Sequence, residues 1–286
     1  MNETAAPRAA ESPRKTRVRI EPTRGGFRLD LRELWRYREL LYFLVWRDVK
    51  LRYKQTAFGL GWAVIPPVLT MIVFSIFFGR VAGLDSDGVP YPIFSYTALL
   101  PWLFFSNGVA QAAASLVGNV NLITKVYFPR ILIPVAATLP GLLDFAIAFV
   151  VLGGLMVYYA FAPDLEALLV IPLLLVALAA SIGAGLWLSA LNVKFRDVRY
   201  ALPFLFQFWL FATPVAFSSA AIDEPWRTLY GINPMAGVVE GFRWALLPTE
   251  LNPLGMVLVS TATSLVLLVS STVYFRRTER AFADLI

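Results

Sequence analysis

The sequence has no cysteine and no histidine among its 286 residues. The first absence excludes a disulfide framework and a thiolate metal site, and the second removes the commonest metal ligand and physiological proton shuttle. Charge is scarce as well: Asp, Glu, Lys and Arg make up 15% of the chain, against about 25% in an ordinary soluble domain. A nucleotide-binding loop is missing, since none of Lys15, Lys50, Lys54, Lys125 and Lys194 follows a phosphate-cradling glycine run. Lys15-Thr16 comes nearest, but Arg14 stands where glycine is needed. If ATP drives this protein, another chain binds it. Within the apolar runs Asp144 is the one ionisable side chain expected. A lone carboxylate is thin support for a proton relay, and no group of acids, bases or metal ligands suggests intramembrane catalysis.

What the sequence does have is apolar length. Hydrophobic residues reach 58%, above the roughly 45–50% of soluble domains, and the excess must face lipid. The fold class expected is an all-α membrane protein with about six transmembrane helices, each needing about 20 apolar residues to cross the hydrocarbon core. The runs fall near Phe58–Gly79, Ile93–Val117, Ile131–Tyr159, Ala167–Leu191, Ala201–Phe217 and Pro253–Phe275. The fifth is short and holds Pro203 and Pro214, which predicts a kink or break. The transmembrane domain so defined covers residues 55–275.

Residues 1–26, rich in Pro, Arg, Glu and Ala, read as a disordered cytoplasmic tail. No apolar core follows a short basic start, so the tail is expected to be retained. Residues 27–54 predict an amphipathic helix lying flat in the cytoplasmic interface, with Asp30 and Glu33 as a capping box. Leu31, Leu34, Trp35, Leu41, Tyr42, Val45 and Val49 form its apolar face; Arg32, Arg36, Glu39, Arg47 and Lys50 form the other, which Phe43 interrupts. Trp35, Arg36, Arg47 and Lys50 are its candidate interfacial anchors. Of the 25 lysines and arginines, all but Arg80, Arg227 and Arg243 fall on one side if both termini, including a tail at 276–286, are cytoplasmic. This asymmetry accounts for the net charge of +6 and leaves nucleic acid an unneeded partner.

Three further features bear on mechanism. The cytoplasmic connector Asn119–Arg130, with Lys125, Tyr127, Phe128, Pro129 and Arg130 at its end, reads as a docking element for a partner; the alternative is an ordinary positive-inside loop. Residues 218–251 predict short helices folded back into the outer leaflet, or a hairpin on the surface. Aromatic rings crowd the first, second and fifth runs. Phe74, Phe78, Tyr96, Trp102, Phe105, Phe204 and Phe208, with Asp144, are candidates to line a transport path, packing and anchoring being the alternative use of such rings. Ser181, Gly185 and Ser189, spaced at four residues, suit close helix packing.

Arg47-Asp48 with LRYKQTAFGLGWAVIPP at Leu51–Pro67, then KVYFPR at Lys125–Arg130, NVKFRDVRY at Asn192–Tyr200 and Ile232-Asn233-Pro234-Met235, resembles in kind and order the membrane subunits of ATP-binding-cassette polysaccharide exporters. That family includes O-antigen, capsule and teichoic-acid transporters, with lipo-oligosaccharide exporters close by. The resemblance implies a multi-pass permease of the bacterial cytoplasmic (inner) membrane, not itself catalytic. It implies a homodimer joined to two copies of a separate ATPase that carries the ATP and magnesium, with none bound in this chain. It implies that the connector and the interface helix transmit ATPase closure, and that a lipid-linked glycan moves outward among membrane lipids. An ion-coupled secondary transporter or lipid-linked sugar flippase is the alternative, and a membrane-embedded glycosyl- or acyl-transferase a more distant one.

Overall fold

The computed structural model describes residues 35–54, 59–195, 197–249, 251–279 and 282. The expected tail at 1–26 and the Asp30–Glu33 cap lie outside these residues, as does most of 276–286. Among the described residues there are helices and turns and no strand, as expected where backbone groups can be paired only within the segment itself.

Helix α1 is Arg38–Tyr53. The first span is α2, Gly61–Phe74, continued by π-helical turns at Ser75–Val81. Helix α3, Tyr91–Gly118, is followed by the short α4, Val120–Lys125. The third span consists of α5, Leu132–Thr138, and α6, Gly141–Tyr158, with a turn at Leu139-Pro140 between them. Helix α7 runs Val170–Lys194 after a 3-10 turn at Leu165–Leu169, and α8 is Val198–Phe211. A single turn, α9 at Trp226–Leu229, leads to α10, Pro234–Leu246, and the chain closes on α11, Leu254–Thr278.

Five helical stretches among the described residues are long and apolar enough to cross a membrane: Gly61–Val81, Tyr91–Gly118, Leu132–Tyr158, Leu165–Lys194 and Leu254–Thr278. They lie within a few residues of five of the expected runs. The fifth run, placed at Ala201–Phe217, differs. Its helix α8 has 14 residues, about 21 Å at 1.5 Å per residue, short of a hydrocarbon core of about 30 Å. Beyond Phe211 the chain leaves the helix and runs through irregular turns to Ser218.

Among the described helices, α3 packs against α2, α5, α6, α7 and α10. Its closest neighbour is α7, and small residues set the distance. A Cβ on Gly108 would collide with Ser181 Oγ, and one on Gly185 would lie 2.5 Å from Ala112 Cβ. Ser181 Oγ donates to Phe105 O at 3.3 Å and Asn192 Nδ2 to Ala113 O at 2.9 Å, so close approach is joined by polar bonds across the seam. The same logic joins α7 to α11, where a Cβ on Gly183 would come 2.9 Å from the Leu268 backbone nitrogen. Ser181 and Gly185 thus pack helices, the use expected of them.

Helix α1 departs from the expected arrangement. Its packed stripe is Tyr37, Leu40 and Leu41, set against a cluster that includes Ile123, Phe128, Leu132 and Phe275, together with the buried Leu44. Of the expected apolar face only Leu41 belongs to this stripe, while Trp35 and Tyr42 are exposed and Leu31 and Leu34 lie outside the described residues. The i, i+4 pair Leu40 and Leu44 faces the protein, so the rings of Trp35, Tyr42, Phe43 and Trp46 are left to the surroundings. The helix packs on α5, and its last residues reach the first turn of α6. It is therefore joined to both halves of the third span.

Candidate functional site

At the connector, sequence and structure divide one motif into two tasks. Lys125, Val126 and Tyr127 project outward, Tyr127 with 82% of its surface free. Phe128 does the opposite: it is buried with Ile123, Leu186 and Phe275, because an aromatic ring between two helix ends gains by leaving water. Arg130 Nη1 donates to the carbonyl of Glu279 at the end of α11, and Asn119 Nδ2 donates to Ser115 O at 2.8 Å to close the end of α3. Pro129 is half-buried between them. Of the residues expected to dock a partner, Phe128 has no surface to offer, while Lys125 and Tyr127 do.

The interface-helix residues are similarly sorted. Trp35, Arg36 and Lys50 are exposed, with the Lys50 ammonium 5.2 Å from the centre of the Trp46 ring. Arg47 is half-buried and paired with its neighbour Asp48 at 2.8 Å. At the end of α1, Arg52 Nη1 and the Tyr53 hydroxyl both donate to the carboxylate of Asp144 on α6. Asp144 is thus the receiving end of a tie to the interface helix, which accounts for an acid in an apolar span better than a relay with no second member does.

Besides Asp144, Glu240 and Arg243 are ionisable groups of the segment 218–251, for which short helices folded back into the outer leaflet or a surface hairpin are expected. A surface hairpin would leave both side chains in water. Instead α10 is a helix in the interior, buried at every residue but Trp244, with Arg243 at 1% and Glu240 at 2% exposure. Arg243 Nη1 donates to Pro214 O at 2.7 Å, Phe217 O at 3.1 Å and Glu240 Oε1 at 3.1 Å, and Nη2 donates to Val215 O at 2.7 Å. Its guanidinium carbon lies 3.5 Å from the centre of the Phe94 ring. The Tyr91 hydroxyl donates to Ala216 O at 2.5 Å, so all four carbonyls from Pro214 to Phe217 are bonded. These are the groups that the break after α8 leaves without helical partners. A planar cation with five donors can serve several of them at once. Glu240 balances its charge and takes a further bond from Ser219 N at 2.8 Å.

Asn233 secures the other end of the break. Its Nδ2 donates to Ala212 O at 2.8 Å and Thr213 Oγ1 at 2.9 Å, while its Oδ1 accepts from Trp209 Nε1 at 2.9 Å and caps α10 through Met235 N at 3.1 Å. The signal for this assembly was present as a Glu-x-x-Arg pair inside an apolar segment, where opposite charges one turn apart can meet.

The expected path rings separate by burial. Tyr96, Trp102 and Phe105 are at 0–2% exposure and Phe74 at 6%. Tyr96 donates to Ala148 O at 3.1 Å, and Trp102 and Phe105 hold the Trp209 ring of α8 at 6.4 and 5.0 Å. In this conformation these four are core, with no face for a passing molecule. Phe204 and Phe208 are exposed at 70% and 80%, one turn apart on α8, and Phe211 continues their stripe. Phe78, half-buried, meets Phe74 and Phe211 edge to face at 5.1 and 6.4 Å.

Residues 39–247 match the family model described as ABC-2 type transporter. The chain is 30% identical to the O-antigen export system permease protein RfbA of Myxococcus xanthus over 89% of its own length and 98% of that protein's. It is 25% identical to the O-antigen export system permease protein RfbA of Klebsiella pneumoniae, covering 87% of this chain and 95% of the other. The polysialic acid transport protein KpsM of Escherichia coli is 22% identical over 71% of this chain and 79% of its own. With an all-helical body of apolar spans and a match over most of its length, the chain belongs to the ABC-2 type transporter family of membrane permeases.

Proposed function

We propose that this permease is the membrane half of an ATP-driven exporter that moves a lipid-linked polysaccharide outward across the bacterial cytoplasmic membrane. The observation that carries the reading is the family match joined to full-length relatives named for O-antigen export. ATP and magnesium belong on a separate ATPase, two copies of which dock on the Lys125–Tyr127 tips. The missing phosphate loop and the exposure of that tip against buried Phe128 support this. The permease acts as a homodimer. Helix α8 supports this, because Leu202 is its one buried residue and a helix so thinly packed on its own protomer needs another surface. Phe204 and Phe208 from both copies then face the cargo, flat rings holding each sugar weakly enough to let it advance.

The test is to purify the chain alone and with a co-expressed candidate ATPase, reconstitute both, and follow ATP hydrolysis and glycan movement. Hydrolysis confined to the complex and coupled to glycan transfer is expected. Hydrolysis by the chain alone, or glycan movement driven by an ion gradient without ATP, would overturn the reading.

A further inference from the structure

A cavity of about 290 Å³ opens between α2, α3 and α6, near the lower end of the roughly 300–1,000 Å³ range of small-molecule sites. Its lining is mixed in an informative way. Trp62, Pro66, Phe104 and Phe145 supply flat or apolar walls, while Asn107, Gln111 and the Arg52–Tyr53–Asp144 cluster supply polar groups. Asn107 and Gln111 are the anomaly. They lie one turn apart on α3, the most enclosed span, yet both are exposed, and neither is bonded to another described residue. An amide left in hydrocarbon costs free energy unless a polar partner occupies the space beside it. Packing does not call for them, because this is the face of α3 that packing leaves open.

The chemistry of the lining restricts the occupant. The Arg52 guanidinium is already balanced by Asp144, so the site has no net cationic charge to attract a phosphate. Asp144 already accepts from Arg52 and Tyr53, which disfavours a metal ion. Two amides that both donate and accept, beside a carboxylate with spare lone pairs and an exposed indole, match the adjacent hydroxyls and flat apolar face of a neutral sugar ring. The depth is consistent with this. Gln111 stands about two turns and Asn107 about three turns from the connector end of α3, on the half of the bundle from which the cargo starts.

We propose that this cavity is a recognition site for a single neutral sugar ring of the cargo, separate from the aromatic stripe on α8. The proposal rests on the polysaccharide-export reading. Its test uses the full chain in lipid discs, titrated with octyl β-glucoside below its micelle concentration, with octyl pentaethylene glycol ether as the tail control. Tryptophan fluorescence is read in wild type and in Trp62→Phe. A saturable change with the glucoside alone is expected, lost in Trp62→Phe and in the Asn107→Leu/Gln111→Leu double variant. That double variant adds apolar side chains to a span and should still insert. An equal change with both amphiphiles, or one that survives in the double variant, would overturn the site. Glycan export by the assembled transporter is measured alongside. Export without glucoside-selective binding overturns the pocket alone; glucoside-selective binding with no export of any glycan supports the pocket and overturns the export reading.

Discussion

Replacing Arg243 with methionine removes the group that holds the broken fifth crossing together, and its cost can be worked from the contacts. Five bonds vanish, four to the carbonyls of Phe94, Pro214, Val215 and Phe217 and one to Glu240, all in a region with 1–2% exposure for the pair. Interhelical polar bonds in membrane proteins average about 0.6 kcal/mol each. That sets a floor of about 3 kcal/mol before the stranded carboxylate is counted. Removing one partner of a buried pair costs about 3–5 kcal/mol when the other charge is left behind. We therefore predict a loss of about 3–5 kcal/mol for Arg243→Met, read as the shift in unfolding of the purified chain with added denaturing detergent. Glu240→Gln with Arg243→Met should recover the share due to the stranded charge and keep the share due to the carbonyls. Arg243→Lys should fall between, because an ammonium keeps the charge but lacks the fork. The absence of native cysteine provides a second readout: a cysteine at buried Ala216 should resist labelling in wild type and react in Arg243→Met. Stability within about 0.5 kcal/mol of wild type, the range of an inert surface change, would refute the clamp.

Arg52→Asp and Asp144→Arg should each impair export, and the double exchange should restore it. The pair is about a quarter exposed on both sides, so stability should move by less than about 1 kcal/mol, and equal destabilisation in all three variants would count against a tie between α1 and α6. At the connector, Tyr127→Ala should weaken ATPase assembly with folding intact, whereas Phe128→Ala should cost about 3–5 kcal/mol of stability; the reverse pattern in copurification and unfolding would show the roles misassigned. Gly185→Val should destabilise by about 1–3 kcal/mol, because the first added carbon already meets Ala112, and an unchanged melting curve would refute the tight α3–α7 seam. Cysteines at Asp85 and Asp223 should label from outside intact cells and those at Lys125 and Lys194 should not; external labelling at Lys125 would invert the proposed orientation.

The spans were legible because hydrocarbon imposes a length and each run ends in polar residues, as at Lys125 and Lys194. Which rings face inward was not legible. In a run apolar on every side there is no polar stripe to mark the outer face, so Trp102 in the core and Phe208 on the surface gave the same signal. The burial of Arg243 was not legible from charge counting for a related reason: the positive-inside rule describes charges that remain in water, and Arg243 is withdrawn into the protein by Glu240 and by carbonyls distant in sequence. Yet the polar residues within apolar segments share a pattern. Arg243 and Asn233 stand where α8 breaks, Asp144 where the interface helix meets α6, and Asn107 and Gln111 where α3 lacks a neighbour. Each marks a place where regular helix or close packing stops and backbone, cavity or another element needs a polar partner. The few polar letters inside the apolar runs are the trace of those interruptions in the sequence.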